Sequence, residues 1–219
     1  MQLVPVIAID GPSASGKGTV AQRVAEALGF HYLDSGALYR LTALAAVRRG
    51  VSWDDEAGVA GVAATLDARF DGDRIVLDER DASSAIRSED IGVGASRVAA
   101  LPAVRAALLQ RQRGYARMPG LVADGRDMGS VVFPEAQLKV FLTASAAVRA
   151  ERRYKQLAGR GEQADLAAIT ADLEARDARD RARTVAPLAQ QPDARLLDTD
   201  GLGVEAAVEQ VLAWWRERG

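Results

Sequence analysis

The sequence predicts an α/β fold with a central parallel sheet flanked by helices, on three observations. Residues 3–9 form a continuous apolar run with β-branched side chains, the pattern of a strand buried on both faces. A glycine-rich turn follows at once and leads into residues 17–28, where Val20, Ala21, Val24, Ala25 and Leu28 recur at helical spacing and Gly29 supplies a stop. Two more apolar segments, residues 121–123 and 138–142, each run into polar loop or helix-start residues, so strands and helices alternate as a parallel sheet requires.

The remaining elements fit around that frame. Ser35 reads as the N-cap of a helix running to about residue 49 with Gly50 at its end, and residues 53–67 read as another helix. Between residues 69 and 86 the pattern changes to short alternating segments broken by Asp-Gly, a hairpin signal that predicts a small β-rich insertion. Helical periodicity returns over about 89–117, interrupted at Pro102, which suits a first helical turn. Residues 144–158 and 165–183 read as helices on either side of Gly159-Arg160-Gly161, where a lid hinge is expected. Residues 195–197 form a last short strand, and 204–218 a closing amphipathic helix whose Trp214 and Trp215 are packing groups. The expected organisation is a single domain with its core in 1–60 and 118–219, an insertion over about 61–117 and a lid over about 153–168.

Composition narrows the function classes. The fractions of 48% hydrophobic and 26% charged residues are those of a soluble globular protein, and a net charge of -2 gives no electrostatic reason to expect a nucleic-acid partner. With no cysteine, disulfides, thiolate catalysis and cysteine zinc sites are excluded, and a reducing cytoplasm is the natural home. The opening residues lack a cationic signal region, and no apolar stretch reaches the roughly 18 residues of a membrane helix, so no membrane association is expected. A monomer is the simplest expectation.

Gly11, Pro12, Ser13, Ala14, Ser15, Gly16, Lys17, Gly18 and Thr19 stand between the strand and the helix, the context in which such a run is a P-loop. Glycines let the backbone fold with its N–H groups inward, the helix N-terminus adds positive potential, and Lys17 can reach β- and γ-phosphates. The run therefore predicts ATP binding and a P-loop NTPase fold. Gly18 takes the place of the usual hydroxyl residue, which comes one position later at Thr19. This variant resembles nucleoside monophosphate kinases rather than GTPases, whose guanine-reading asparagine is missing because the sequence contains none.

Beyond the loop, Asp34 to Arg40 reads DSGALYR and places Tyr39 and Arg40 one turn beyond Ser35. Asp124-Gly125-Arg126-Asp127-Met128-Gly129 emerges from the C-terminal end of a strand, where open α/β sheets bind ligands. The late helix carries Arg176, Arg179, Asp180, Arg181 and Arg183. Together GPSASGKGT, DSGALYR, ADGRDMG, VFP and ARDARDRARTVAPL resemble the ordered motif set of bacterial cytidylate kinases, and the hairpin-bearing insertion resembles the extra segment of their longer members.

The resemblance implies transfer of the γ-phosphoryl group of ATP to CMP or dCMP. It implies that Ser35, Tyr39, Arg40, Arg126 and Arg183 hold the acceptor phosphate, that Arg176 and Asp180 contact the pentose, and that Ser96, Arg105 and Asp127 read the cytosine edge. Base chemistry agrees: cytosine offers an N4 amino donor that a carboxylate accepts, whereas uracil offers O4, and a buried mismatch of that kind costs about 1–3 kcal/mol.

The acceptor phosphate is largely anionic near neutral pH, its second pKa being about 6, so no strong base is needed. Catalysis then consists of in-line positioning and charge stabilisation by loop amides, Lys17, Mg2+ and convergent arginines. Arg152 and Arg153 stand at the start of the expected lid, whose closure would bring one or both onto the ATP phosphates. Asp124, with Asp34 second, is the candidate for orienting hydrated magnesium. Two rival readings share the loop: a kinase of a small alcohol such as shikimate or gluconate, for which several acceptor arginines would be superfluous, and a non-catalytic nucleotide-dependent switch, which CMP would not stimulate.

Overall fold

A computed structural model describes residues 4–71, 74–161 and 163–218. The chain divides into two compact units, Met1–Leu33 with Tyr115–Gly219, and Asp34–Gly114. Within the second unit, the helix after Asp34 packs with the segments that follow it.

The first unit opens with β1 (Val6–Asp10), buried along its whole length. After the glycine-rich loop comes α1 (Lys17–Leu28), with the expected bounds and Gly29 closing it at φ 65, a left-handed conformation that glycine adopts without strain. The strand β2 (His31–Asp34) leads to the second unit.

That unit starts with α2 (Ser35–Arg48). Its N-cap is Asp34, not Ser35: Asp34 Oδ1 accepts the Ala37 N–H at 2.9 Å, and a carboxylate gains from the helix dipole as well as from the hydrogen bond. Leu38, Leu41, Ala43, Leu44 and Ala45 are all buried, so α2 is a central helix of its unit. The next helix, α3 (Glu56–Ala64), is shorter than expected because Asp55 caps it, accepting from Gly58 N at 3.0 Å. Trp53 stays outside it; its Nε1 donates to Ala43 O at 3.1 Å and its ring lies against Gly94, where a Cβ would come within 2.4 Å.

The β-rich insertion is a three-stranded antiparallel sheet of β3 (Ala68–Asp71), β4 (Arg74–Leu77) and β5 (Arg80–Asp81). The Asp-Gly turn expected in it falls partly outside the described residues. Next, α4 (Glu89–Val98) and α5 (Pro102–Arg113) meet at a bend of 98°, Pro102 taking the first turn as its fixed φ and missing N–H allow. Arg111 ties α5 to the small sheet by donating to Leu66 O at 2.5 Å and Ala68 O at 2.7 Å.

The first unit resumes with β6 (Leu121–Gly125), a π-helical turn over Met128–Val132, and β7 (Leu138–Thr143). Ser145 caps α6 (Ala146–Ala158) and Asp165 caps α7 (Leu166–Arg181), so both helices start one or two residues later than periodicity suggests. Residue 162, inside the expected lid, lies outside the described residues. The chain closes with β8 (Arg195–Asp198) and α8 (Val204–Arg216).

The five-stranded sheet has the order β2-β6-β1-β7-β8; β1 runs parallel to β6 and β7, and β7 parallel to β8. Ile7, Ile9, Val122, Val140 and Leu142 pack against Val20, Val24, Val208, Val211 and Leu212 of α1 and α8, with Trp214 and Trp215 partly buried on the same cluster. Truncating one of its isoleucines or leucines to alanine costs on the order of 2–5 kcal/mol. This core holds the ends of β1 and β6, and therefore the loops that follow them, in fixed register. Strand, phosphate loop and helix at the centre of a parallel sheet make this a P-loop NTPase fold. Among the described residues no single helix is long and apolar enough to cross a membrane.

Candidate active site

The phosphate loop is shaped by positions that only small residues can occupy. A Cβ on Gly11 would lie 2.0 Å from the backbone oxygen of Leu142, and Ala14 (φ 58) and Gly16 (φ 92) take left-handed conformations that turn the chain around the loop. Gly16 caps α1 without a side-chain hydrogen bond, leaving the helix N-terminus to the loop interior. Ser15 Oγ is buried and has no hydrogen-bond partner among the described residues, and Lys17 Nζ donates to Pro12 O at 3.2 Å.

Gly18 is explained by its neighbours. A Cβ there would sit 3.1 Å from Asp124 Oδ2 and 3.6 Å from the Tyr32 hydroxyl, which itself donates to Asp124 Oδ2 at 3.2 Å. A serine or threonine there would press against the buried Asp124 carboxylate, while the Tyr32 hydroxyl would stay at ordinary contact distance.

Two arginines of α6 hold the loop from outside. Arg149 donates from Nη1 to Ser13 O at 3.1 Å and from Nε to Ala144 O at 3.0 Å, and its Nη2 pairs with Asp177 Oδ2 of α7 at 2.7 Å; both side chains are almost wholly buried. Arg152 donates to Ser15 O and Thr199 Oγ1, each at 3.0 Å, and to Thr199 O at 2.6 Å. Arg153 lies on the exposed side, with Nη1 on Gln156 Oε1 at 2.6 Å.

Beyond β6, Arg126 donates from Nη2 to Ser13 Oγ at 2.7 Å and from Nε to Asp180 Oδ2 at 2.8 Å. The other oxygen of Asp180 accepts from Arg183. Arg126, Asp180 and Arg183 are therefore one cluster beside Ser13 of the loop, and Arg176 pairs with Asp172 one turn away on α7 at 2.8 Å. Asp127 is buried at the start of the π-helical turn. In the second unit, Ser35 and Tyr39 are buried on α2, Arg40 donates to Ile86 O at 2.8 Å, Ser96 sits on α4, and Arg105 is buried on α5 with Nη1 on Ala99 O at 3.2 Å. Asp34 spends one carboxylate oxygen on its cap.

Residues 7–217 match the family model described as cytidylate kinase. The chain belongs to the cytidylate kinase family. A cytidylate kinase of Chromobacterium violaceum is 64% identical over 98% of this chain and 97% of its own, and one of Bordetella bronchiseptica is 59% identical over 97% and 95%. A crystal structure of an uncharacterized protein from Eubacterium ventriosum shares the fold, with a TM-score of 0.54 at 11% identity, covering 96% of this chain and 97% of its own.

Within this family member, the residues that sequence reasoning missed are mostly those that hold others in place: Asp10, Tyr32, Arg149, Asp177 and Thr199. Asp10 ends β1 and accepts the N–H groups of Met128 and Gly129 on its two oxygens, each at 2.8 Å. Burial pushes its pKa up to about 6; the two backbone hydrogen bonds oppose that rise, the Asp127 charge adds to it and Lys17 lowers it. A carboxylate ending an apolar strand was a visible signal for Asp10. Nothing in the sequence pairs Arg149 with Asp177.

Proposed function

We propose that the chain carries out its family's reaction, transfer of the γ-phosphoryl group of ATP to CMP or dCMP, by in-line displacement without a covalent intermediate. The observation that carries the mechanism is the cluster of Arg126, Asp180 and Arg183 against Ser13, which puts two guanidinium groups beside the donor loop. Such a pair suits a phosphate monoester that must approach another polyanion, and would be superfluous for a neutral alcohol.

In this reading the loop amides and the α1 N-terminus bind the ATP phosphates, with the buried Ser15 hydroxyl free to serve as a further donor and Lys17 moving from Pro12 O to the β- and γ-oxygens. Ser35, Tyr39, Arg40, Arg126 and Arg183 hold the acceptor phosphate, Arg176 and Asp180 the pentose, and Ser96, Arg105 and Asp127 the base. Arg152 and Arg153 act on the transferring group during closure about residues 159–161. Arg152 must then exchange its hold on Ser15 O and Thr199 for phosphate oxygens.

Asp124 fits hydrated magnesium: it is a hard oxygen donor, buried beside Gly18 and oriented by Tyr32, while Asp34 has one oxygen committed to its cap. Magnesium held there with ATP would supply charge neutralisation to the phosphates. The lack of cysteine suits a cytoplasmic home and the small net charge gives no electrostatic reason for a nucleic-acid partner; a monomer with no membrane partner is the simplest reading.

The test is ADP release with ATP and Mg2+ against CMP, dCMP, UMP, AMP, GMP, shikimate and gluconate. CMP and dCMP should stimulate release strongly and the two alcohols not at all. Slow ATP hydrolysis indifferent to CMP would restore the switch reading.

A further inference from the structure

We infer that Asp10 is a positioning residue for base selection: its carboxylate fixes the turn that presents Asp127. The inference rests on the proposed reading of cytosine by Asp127. Asp10 belongs to β1, 118 and 119 residues away from the two N–H groups it binds. Those groups, on Met128 and Gly129, open the π-helical turn over Met128–Val132, and the residue at its N-cap, Asp127, makes no side-chain cap of its own. A turn with unsatisfied N–H groups at its start needs an acceptor, and here the acceptor comes from the neighbouring strand.

The geometry is two-pronged, with one oxygen for each N–H, so it fixes the direction of the turn as well as its distance. Asp127 carries the turn's first backbone acceptor, its carbonyl taking Val131 N at 2.9 Å and Val132 N at 3.2 Å. Between these bonds and the two made by Asp10, the backbone of Asp127 is held on both sides. Gly129 permits the approach: a Cβ there would lie 3.1 Å from Lys139 Cδ and 3.5 Å from Asp10 Oδ2. Asp10 also immediately precedes Gly11, so the same strand end that launches the donor loop anchors the turn after β6.

A neutral amide cannot reproduce this. Asparagine offers one acceptor oxygen, and its NH2 would face the second N–H donor to donor. Burial raises the pKa of Asp10, so the carboxylate is held in place against its own desolvation.

The experiment compares wild type, Asp10→Asn, Asp127→Ala and the double variant for kcat/KM with CMP and with UMP, and for the KM of ATP. Asp10→Asn should lower the CMP-to-UMP preference about tenfold, with the KM of ATP changing less than about twofold, and should add nothing in the Asp127→Ala background. Should Asp10→Asn fail to fold, Asp10→Ser, smaller and still able to accept one N–H, takes its place. If the Asp10 variant turns over both nucleotides more slowly by the same factor, Asp10 is merely structural and the inference is overturned while base reading by Asp127 stands. If Asp127→Ala keeps the wild-type preference, base reading itself fails and the inference falls with it.

Discussion

Replacing Asp10 by asparagine should change how stability depends on pH. The folded pKa of Asp10 is about 6 against an ordinary value of 3.8, so between those values the native state holds a proton that the unfolded chain has released. Its contribution to stability is therefore greatest at low pH and declines as pH rises through this window. Above it, the ionised and buried Asp10 costs about 3 kcal/mol relative to the protonated form, at ~1.36 kcal/mol per pKa unit. By the same linkage about 1.4 kcal/mol of that change falls between about pH 5 and pH 7.5. Asparagine does not titrate, so the stability of wild type relative to Asp10→Asn should improve by about 1.4 kcal/mol on going from pH 7.5 to pH 5. Urea unfolding at the two pH values, followed by the fluorescence of Trp214 and Trp215 on the same core cluster, measures it. A difference between the two proteins that stays constant, or moves the other way, would refute the assignment of a raised pKa to Asp10 and the burial argument behind it.

Other substitutions probe the packing that shapes the site. Arg149→Met leaves Asp177 buried without its cation and removes a donor from Ser13 O; a loss of about 3–5 kcal/mol by urea titration is expected, with a raised KM for ATP. Gly94→Ala drives a methyl group into the Trp53 ring and should destabilise the second unit by about 1–3 kcal/mol, seen as an earlier change in Trp53 fluorescence. In Arg152→Ala and Arg153→Ala the loss of turnover should exceed the loss of nucleotide affinity, and unchanged turnover in both would remove them from the mechanism.

Much of the sheet and the donor loop was legible because their signals are local. Buried strands declare themselves by apolar runs, and Lys17–Leu28 carries its period and its stop in the same dozen residues. Errors at element ends came from capping: Asp34, Asp55 and Asp165 each hold a backbone N–H that periodicity does not register, which moved the starts of α2, α3 and α7. The residues that touch substrate in the family pattern could be picked out as motifs, but those that hold them could not. Arg149 and Asp177 meet only because α6 and α7 pack side by side, and Asp10 meets Met128 and Gly129 only because β1 and β6 are neighbours. The tight fit of Gly18 against Asp124 likewise depends on β6 lying beside the start of α1, which no local pattern records.

The proposed reaction is direct passage of one phosphoryl group between two nucleotides held end to end. ATP made chiral at its γ-phosphorus with oxygen isotopes, reacted with CMP and analysed in the product CDP, tests this in one measurement. A single in-line displacement predicts inversion of configuration at phosphorus, whereas retention would require a phosphorylated enzyme intermediate and would rule out direct transfer.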